Sequence, residues 1–316
     1  PSGGRYSAYV SDRWQVTPDL VLDSGLRWDR QTYLGPANGS QVSPRFNLLY
    51  SRGANLDFRL TWGQYHQSQQ IHQMQVEDGV ERFFPSQQAD HLILGTRFSF
   101  GQGWTLRAEA FDKKYSNLRP RFENLLDPVP LIAEFEPDRI MVSPESGRSR
   151  GVEFTLQYVA NEHINGWASY TLSRVTDRID RINQPRNWDQ RHSFQAGLAY
   201  KKNQWEIGLA ARARSGWPTT AASVQRDEDE LELIYGPRNA ENLGSFANFD
   251  FRIARSWQLP DSRLTAFFEI NNAFDHRNQC CLDYDVEEED EDPPVLERSV
   301  NHWLGASPAI GVLWEF

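Results

Sequence analysis

Apolar and polar residues alternate with a period of two along almost the whole sequence. In the stretch from Trp104, the side chains of Trp104, Leu106, Ala108 and Ala110 would lie on one face of an extended chain, with polar side chains on the other. Because successive side chains of a β-strand point to opposite faces, this pattern predicts strands with one apolar face. The alternation recurs in segments that begin at Leu20, Leu56, Gly151, His192, Gln204, Ala247 and Arg263. We expect an all-β chain with about thirteen such strands.

The connections between these segments alternate between short and long. Short turns rich in Gly, Pro, Asn and Asp occupy 16–20, 51–55, 101–103, 160–166, 201–203 and 259–263. Longer polar stretches occupy 34–43, 66–89, 119–147, 179–189, 216–245 and 275–304. In an antiparallel meander, alternate connections lie at opposite ends, so we expect all short turns at one end and all long loops at the other. That asymmetry is typical of outer-membrane barrels, whose turns are short on the periplasmic side.

Aromatic residues cluster beside the short turns. Rings at a membrane surface bury their apolar bodies among acyl chains and keep their polar edges in water. We predict a periplasmic aromatic girdle formed by Trp14, Tyr50, Trp104, Tyr158, Tyr200, Trp205 and Trp257. Trp167 fits less well, because it shares its parity with Ser169 and Thr171. Either Trp167 faces the lumen or the register shifts there.

Charge and hydropathy restrict the classes of function. The chain has 33 basic and 43 acidic residues, a formal net charge of −10, which argues against nucleic acid as a partner. No stretch approaches the roughly 18 consecutive apolar residues of a membrane-spanning helix. Aromatics reach 13% in a chain whose mean hydropathy is only −0.66. A soluble β-sandwich would also alternate, but its strands are usually nearer 5 or 6 residues.

Five sequence pieces, in this order, carry a family resemblance. They are Gly151-Val152-Glu153 opening a strand, "SYTLSR" at 169–174, "DQRH" at 189–192, "NNAFDHRN" at 271–278 and the terminal "PAIGVLWEF" at 308–316. Together they resemble the C-terminal barrel portion of TonB-dependent outer-membrane receptors. The resemblance implies an antiparallel up-and-down transmembrane β-barrel of 22 strands with a plugged lumen. We see no plug and no TonB box, so we expect residues 1–316 to be a partial barrel domain that holds about thirteen C-terminal strands.

The same resemblance implies a function and its partners. Such a receptor lies in the outer membrane of a Gram-negative bacterium, touches its lipid and imports a scarce extracellular nutrient when the TonB complex acts on the plug. The nutrient would be a siderophore-iron complex, cobalamin, a sugar or a peptide. No cofactor and no enzymatic activity are expected, and we find no Gly-x-Ser-x-Gly elbow and no metal-spaced His pair. The alternative is a passive porin or a structural or adhesive outer-membrane barrel.

The last strand carries a further expectation. Ile310, Val312, Trp314 and Phe316 alternate with other residues and should face lipid, whereas Gly311 and Glu315 should turn inward. The resemblance implies that the four outward residues form the signal that the barrel assembly machinery recognises.

Several loop residues are candidates for binding. Arg119 and Arg121 in "LRPRFE", and Arg186 with Trp188 in "PRNWDQ", combine charge with aromatic surface near the predicted mouth. That mixture suits an anionic siderophore, a sugar or a peptide. His66 and His72, in the Gln-rich "YHQSQQIHQMQ", are candidates for a metal or a metal chelate, or they belong to a polar extracellular loop.

An acidic run and two cysteines lie in the last long loop. Asp283, Asp285 and Glu287 offer carboxylate oxygens suited to Ca²⁺, although a solvated charged loop is the default interpretation of such a run. Cys280 and Cys281 could form a vicinal disulfide, pair elsewhere or stay reduced.

Overall fold

The computed structural model describes residues 3–33, 39–74, 76, 79–126, 136, 138–159, 163–227, 230–287 and 295–316. Its strands are β1 Arg5–Thr17, β2 Leu20–Gln31, β3 Ser40–Arg52, β4 Leu56–Gln67, β5 Gln87–Phe100, β6 Trp104–Ser116, β7 Arg121–Asn124, β8 Arg139–Val142, β9 Ser146–Val159, β10 Ile164–Ile179, β11 Ile182–Pro185, β12 His192–Lys202, β13 Trp205–Arg214, β14 Pro218–Thr219, β15 Ala222–Asp227, β16 Glu230–Tyr235, β17 Glu241–Asn242, β18 Phe246–Gln258, β19 Arg263–Asn271, β20 Gln279–Glu287, β21 Val295–His302 and β22 Ser307–Glu315. One 3₁₀ turn covers Ile71–Gln73. None of the described helical segments is long and apolar enough to cross a membrane.

Thirteen long strands form one antiparallel sheet in the order β1-β2-β3-β4-β5-β6-β9-β10-β12-β13-β18-β19-β22, and β11 adds a short strand beside β10. Each strand pairs with the next long strand in the chain, which is an up-and-down topology. The predictions of an all-β fold and of about thirteen strands are confirmed. Among the described residues, β1 pairs only with β2 and β22 only with β19, so the sheet is open.

The two ends of the sheet differ. At one end, six tight connections join β1 to β2, β3 to β4, β5 to β6, β9 to β10, β12 to β13 and β18 to β19. At the opposite end, which we call the long-loop end, the connections contain four two-stranded sheets: β7–β8, β14–β17, β15–β16 and β20–β21. The predicted alternation of short and long connections is confirmed.

Strand register joins the apolar faces into one surface. Residues directly opposite each other in an antiparallel pair point to the same face. One row across five strands consists of Leu48, Leu60, Leu94, Ala110 and Val152. Another row runs through Leu209, Phe251 and Ile270. The other parity is polar: Arg97 forms an ion pair with Asp57, and Glu109 lies opposite Glu153.

The apolar face is exposed rather than packed. Leu94 is 59% exposed and Ile310 is 84% exposed. The described residues contain few buried apolar side chains, and apart from Ala254 these lie at the long-loop end, at Leu125, Val142, Leu243 and Leu282. A soluble sandwich would bury its apolar sheet face as a core. The sheet is therefore suited to an apolar medium against its apolar face and to a polar interior against its polar face.

The aromatic residues of the predicted girdle lie where the sequence places them. All seven share the parity of the apolar face next to the short turns; for example, Tyr50 lies opposite Leu20 and Trp257 opposite Leu264. The Trp104 and Tyr158 rings are 4.4 Å apart. Their contact with a membrane interface stays a prediction.

Trp167 belongs to the polar face. It lies opposite Gln157 and Gly197, and neither ladder shifts register there. A Cβ on Gly197 would lie 2.8 Å from Nε1 of Trp167, so the ring covers this glycine. Of the two alternatives, the lumen-facing one is correct.

We expect Leu94→Arg to destabilise the full-length protein in lipid vesicles by about 2–4 kcal/mol, because it puts a charge on the apolar face at mid-height. Ile93→Arg is the matched control, since Ile93 lies on the polar face opposite Thr61 and Phe111. Urea unfolding in vesicles measures both free energies. Equal losses for the two variants would mean that the outward face is assigned wrongly.

Candidate ligand-binding site

A buried carboxylate organises the long-loop end. The side chain of Asp177, near the end of β10, is 0% exposed and accepts hydrogen bonds from two arginines. Arg186 donates through Nε at 2.9 Å and through Nη2 at 2.5 Å, and Arg121 donates through Nη2 at 2.5 Å. Two predicted binding residues from different connections therefore meet on one aspartate.

A second carboxylate extends this network. Glu123 accepts a hydrogen bond from Arg121 at 2.6 Å and pairs with Arg238, whose side chain is almost buried. Arg238 also donates to the carbonyl oxygen of Pro185 at 3.2 Å. Together the contacts tie β7, β10, β11 and the segment before β17 into one cluster. We call Arg121, Glu123, Asp177, Arg186 and Arg238 the ion-pair network.

The network keeps its charges in a confined space. Burial raises the pKa of Asp177, but the hydrogen bonds and charges of Arg186 and Arg121 outweigh burial and leave that pKa below its usual range. A Cβ on Gly147 would lie 2.7 Å from Nη2 of Arg186 and 3.1 Å from Oδ1 of Asp177. Glycine at 147 thus lets the backbone of β9 approach the ion pair.

Arg119 lies beside the network in a pocket of about 310 Å³. Its Nη1 donates to Oε1 of Gln73 at 3.1 Å, and it has no carboxylate partner among the described residues. Amide side chains, apolar side chains and two further arginines form the walls around Arg119: Gln69, Gln73, Val80, Phe84, Gln87, Leu118, Pro120, Arg121 and Arg186. With its side-chain amide turned so that both ends are satisfied, Gln87 also accepts hydrogen bonds from Nε of Arg119 at 3.2 Å and from Nη2 at 3.0 Å. Amide oxygens therefore hold the guanidinium group in place, and no carboxylate of the described residues neutralises its charge.

A second pocket of about 640 Å³ shares Gln87, Leu118 and Arg186 with the first. His66 also lines it, and Nδ1 of His66 is 3.0 Å from Oγ of Ser43. The pairing of β3 with β4 stops at Arg45 and Gly63, so this hydrogen bond bridges a gap between the two strands.

The remaining predicted binding residues, His72 and Trp188, do not belong to the ion-pair network. His72 is exposed on the 3₁₀ turn. Trp188 has a φ of 70°, and its ring lies edge-on to Trp217 at 4.4 Å. The described part of the chain holds no group of three or more His, Cys, Asp or Glu placed to bind a metal.

The acidic run of the last long loop lies on the β20–β21 hairpin. Asp283 is exposed, whereas the side chains of Asp285 and Glu287 lie outside the described residues. The Ca²⁺ site stays a prediction. The Sγ atoms of Cys280 and Cys281 are 2.6 Å apart, with no disulfide bond between them.

Sequence reasoning missed the two carboxylates that hold the predicted arginines. The contacts that join separate connections are distant in sequence: Asp177 lies 56 residues from Arg121, and Glu123 lies 115 residues from Arg238. One local signal was available: Gly147 interrupts a strand pattern, and such a glycine marks a place where another group comes close.

A family model described as "TonB dependent receptor-like, beta-barrel" matches residues 2–273. This chain belongs to the TonB-dependent receptor β-barrel family. A search of curated protein sequences gives no match.

Solved receptor structures share the fold of this TonB-dependent receptor barrel. The ferripyoverdine receptor of the Pseudomonas aeruginosa outer membrane, bound to ferripyoverdine, superposes with a TM-score of 0.62 at 15% identity, over 99% of this chain and 38% of that one. The ferric citrate transporter FecA in its unliganded form gives 0.59 at 16% identity, over 98% and 45%. The FrpB iron transporter from Neisseria meningitidis gives 0.59 at 15%, over 98% and 44%. The chain thus spans less than half the length of these structures.

We expect Asp177→Asn to loosen the long-loop end of this barrel, because Arg121 and Arg186 lose their shared counter-charge. The cost should be about 3 kcal/mol, the low end for a broken buried ion pair, since both guanidinium groups keep some access to water. Hydrogen exchange of the β7 and β11 amides measures it. Asp23→Asn, which removes an exposed partner of Arg13 at 3.7 Å, should cost under about 1 kcal/mol. Unchanged exchange in Asp177→Asn would refute the structural role of the network.

Proposed function

We propose that residues 1–316 form barrel wall and outer loops of an outer-membrane receptor that imports a scarce nutrient with energy from the TonB complex, acting through a plug. Family membership supports energised uptake as the general activity. The strongest support for a ligand class is the charge of Arg119 in a pocket at the long-loop end, which amide oxygens hold and no carboxylate of the described residues neutralises. Among siderophore-iron, cobalamin, sugars and peptides, an anionic iron chelate fits this pocket best.

The chemistry of the pocket favours such a chelate. A guanidinium group binds carboxylate or other oxyanion groups through short, charge-assisted hydrogen bonds. Gln69, Gln73 and Gln87 add neutral amide groups, and Phe84 adds an apolar wall. Three structurally similar proteins are described as a ferric citrate transporter, an iron transporter and a ferripyoverdine receptor.

Arg121 and Arg186 take a different part in this proposal. Because Asp177 and Glu123 already neutralise them, they hold the loops around the pocket rather than supply its charge. Trp188 and His72 are proposed as accessory contacts on the exposed loop surface, and His66 as part of the wall of the second pocket.

Uptake of radiolabelled iron as ferric citrate and as other anionic ferric chelates tests the function. We expect a strain whose only receptor for the chelate is the full-length protein to accumulate iron, and a matched strain without TonB to lose that uptake. A passive porin, the alternative, would give the same flux in both strains. TonB-independent uptake would therefore overturn the proposal.

Equilibrium binding of a radiolabelled anionic ferric chelate to the purified full-length receptor, wild type and Arg119→Gln, tests the ligand class. We expect at least about a tenfold rise in the dissociation constant for an anionic chelate, since one charge-assisted hydrogen bond contributes about 1.5–3 kcal/mol. Arg59→Gln is the matched control, because Arg59 lies on the lumen face of β4 away from this pocket. Equal affinity in wild type and Arg119→Gln would exclude Arg119 from the site.

The terminal strand is proposed as the signal for the barrel assembly machinery. Ile310, Val312 and Trp314 share the outward parity of Phe268, Ala266 and Leu264, and Phe316 is 95% exposed. We expect Phe316→Ala to reduce folded receptor in outer-membrane fractions several-fold, measured by heat-modifiable migration on gels. Leu313→Ala, on the opposite face, should assemble normally. Full assembly of Phe316→Ala would remove that residue from the signal.

A further inference from the structure

The outward face of β6, β9 and β10 changes abruptly from apolar to basic toward the long-loop end. Ala110, Val152 and Leu172 form the last apolar row. The next two rows contain Asp112, Arg150 and Arg174, and then Lys114, Arg148 and Thr176. Because these residues keep the parity of the apolar rows, their side chains leave the sheet on its outer side and not into the lumen.

The basic side chains in these rows lack sufficient counter-charge. Arg150 lies directly opposite Arg174, an arrangement that places Cβ atoms about 4.5–5.5 Å apart and is unfavourable for like charges. Asp112 uses both carboxylate oxygens to accept hydrogen bonds from Arg148, each at 2.8 Å. Neither Arg150 nor Arg174 forms an ion pair at contact distance among the described residues; Asp112 acts on Arg150, and Asp189 on Arg174, only at longer range.

The neighbouring charges do not change this balance. Lys114 lies opposite Asp90, and Arg178 pairs with Glu145 at 3.3 Å. The basic side chains surround a concavity of about 390 Å³ lined by Lys114, Tyr115, Ser146, Gly147, Arg148, Arg150, Arg174, Thr176, Arg178 and Asn183. All five basic side chains are exposed. An exposed, concave and positively charged surface is suited to an anion with several oxygens.

The height of the cluster matches a lipid head-group region. Arg150 lies eight strand residues before Tyr158 of the predicted girdle in β9, which places it about 26 Å along the strand toward the long-loop end. A strand tilted by roughly 40° covers about 20 Å of membrane thickness over that length, close to the top of an apolar band about 25 Å tall. Arg148 lies one row higher. The cluster therefore begins where acyl chains end and phosphate groups begin.

We propose that Arg150 and Arg174, with Lys114 and Arg148 beside them, bind the phosphate groups of a phosphorylated lipid in the leaflet at the long-loop end. The lipid's acyl chains would pack below on the row of Ala110, Val152 and Leu172. The site lies on the opposite face of the sheet from the pocket of Arg119. The inference rests on the outward face meeting lipid, and it does not depend on which nutrient is transported.

Native mass spectrometry of the detergent-solubilised full-length receptor, titrated with diphosphoryl lipid A, tests the proposal. We expect Arg150→Gln/Arg174→Gln to weaken binding about thirty-fold, from roughly 1 kcal/mol for each charge. Arg150→Lys/Arg174→Lys keeps the charges and should retain most of the affinity. Arg59→Gln/Arg107→Gln removes two exposed lumen-face arginines and should leave lipid binding unchanged.

Two further arms identify the source of the phosphate. Wild-type receptor should bind a dephosphorylated lipid A no more tightly than the Arg150→Gln/Arg174→Gln variant binds the diphosphoryl form. If inorganic phosphate bound as tightly as the lipid, the proposal that a lipid occupies the site would be overturned. Equal lipid binding by wild type and the double Gln variant would overturn the site itself.

If that variant fails to fold, Lys114→Gln and the salt dependence of wild-type binding apply the same test. A loss of lipid binding with normal iron uptake separates this site from the transport function.

Discussion

The whole structure depends on one constraint: directly opposite residues in an antiparallel sheet share a face. A slip of one residue between any two strands would move the side chains of the following strands to the wrong side. The ladders from β1 to β22 keep one parity outward, so that Leu22, Leu94, Phe154 and Phe268 all belong to one surface. Tight turns at one end fix that register, because short connections leave the strands little freedom to slide.

Because of this register, a single-layered sheet separates two chemical environments. The outward side is apolar over most of its height and becomes basic toward the long-loop end on β6, β9 and β10. The inward side contains ion pairs such as Arg97 with Asp57 and Arg252 with Glu269. Trp167 on the inward side shows that residue type alone does not define a face; the register does. Stability thus depends on satisfied backbone hydrogen bonds and on surroundings that solvate each face, more than on a buried core.

The strands and the loop asymmetry were predictable from the sequence because both follow from local rules. A period of two and a Gly- or Asn-containing turn are readable within a dozen residues, as in 95–110. The site was predictable only in part. Arg121 and Arg186 were identified by their charge and position, but the aspartate that binds Arg121 lies 56 residues away from it. No period connects such residues, since the contact forms only when two connections fold over the same end of the sheet.

The ion-pair network has a consequence for how such receptors acquire new specificities. Glu123, Arg186 and Arg238 come from three separate connections and Asp177 from the end of β10, and each carries a charge that another of them neutralises. If one connection alone were replaced by that of another receptor, its charged side chains would not match the charged side chains of the remaining connections. The connections that carry β7, β11 and β17 are therefore expected to change together. The described residues of the β20–β21 hairpin add no charge to the network, but Arg298 of β21 pairs with Glu241 of β17 at 3.4 Å, and Gln279 of β20 accepts a hydrogen bond from the backbone N–H of Gly244 at 2.5 Å. That hairpin is thus coupled to the same group of connections.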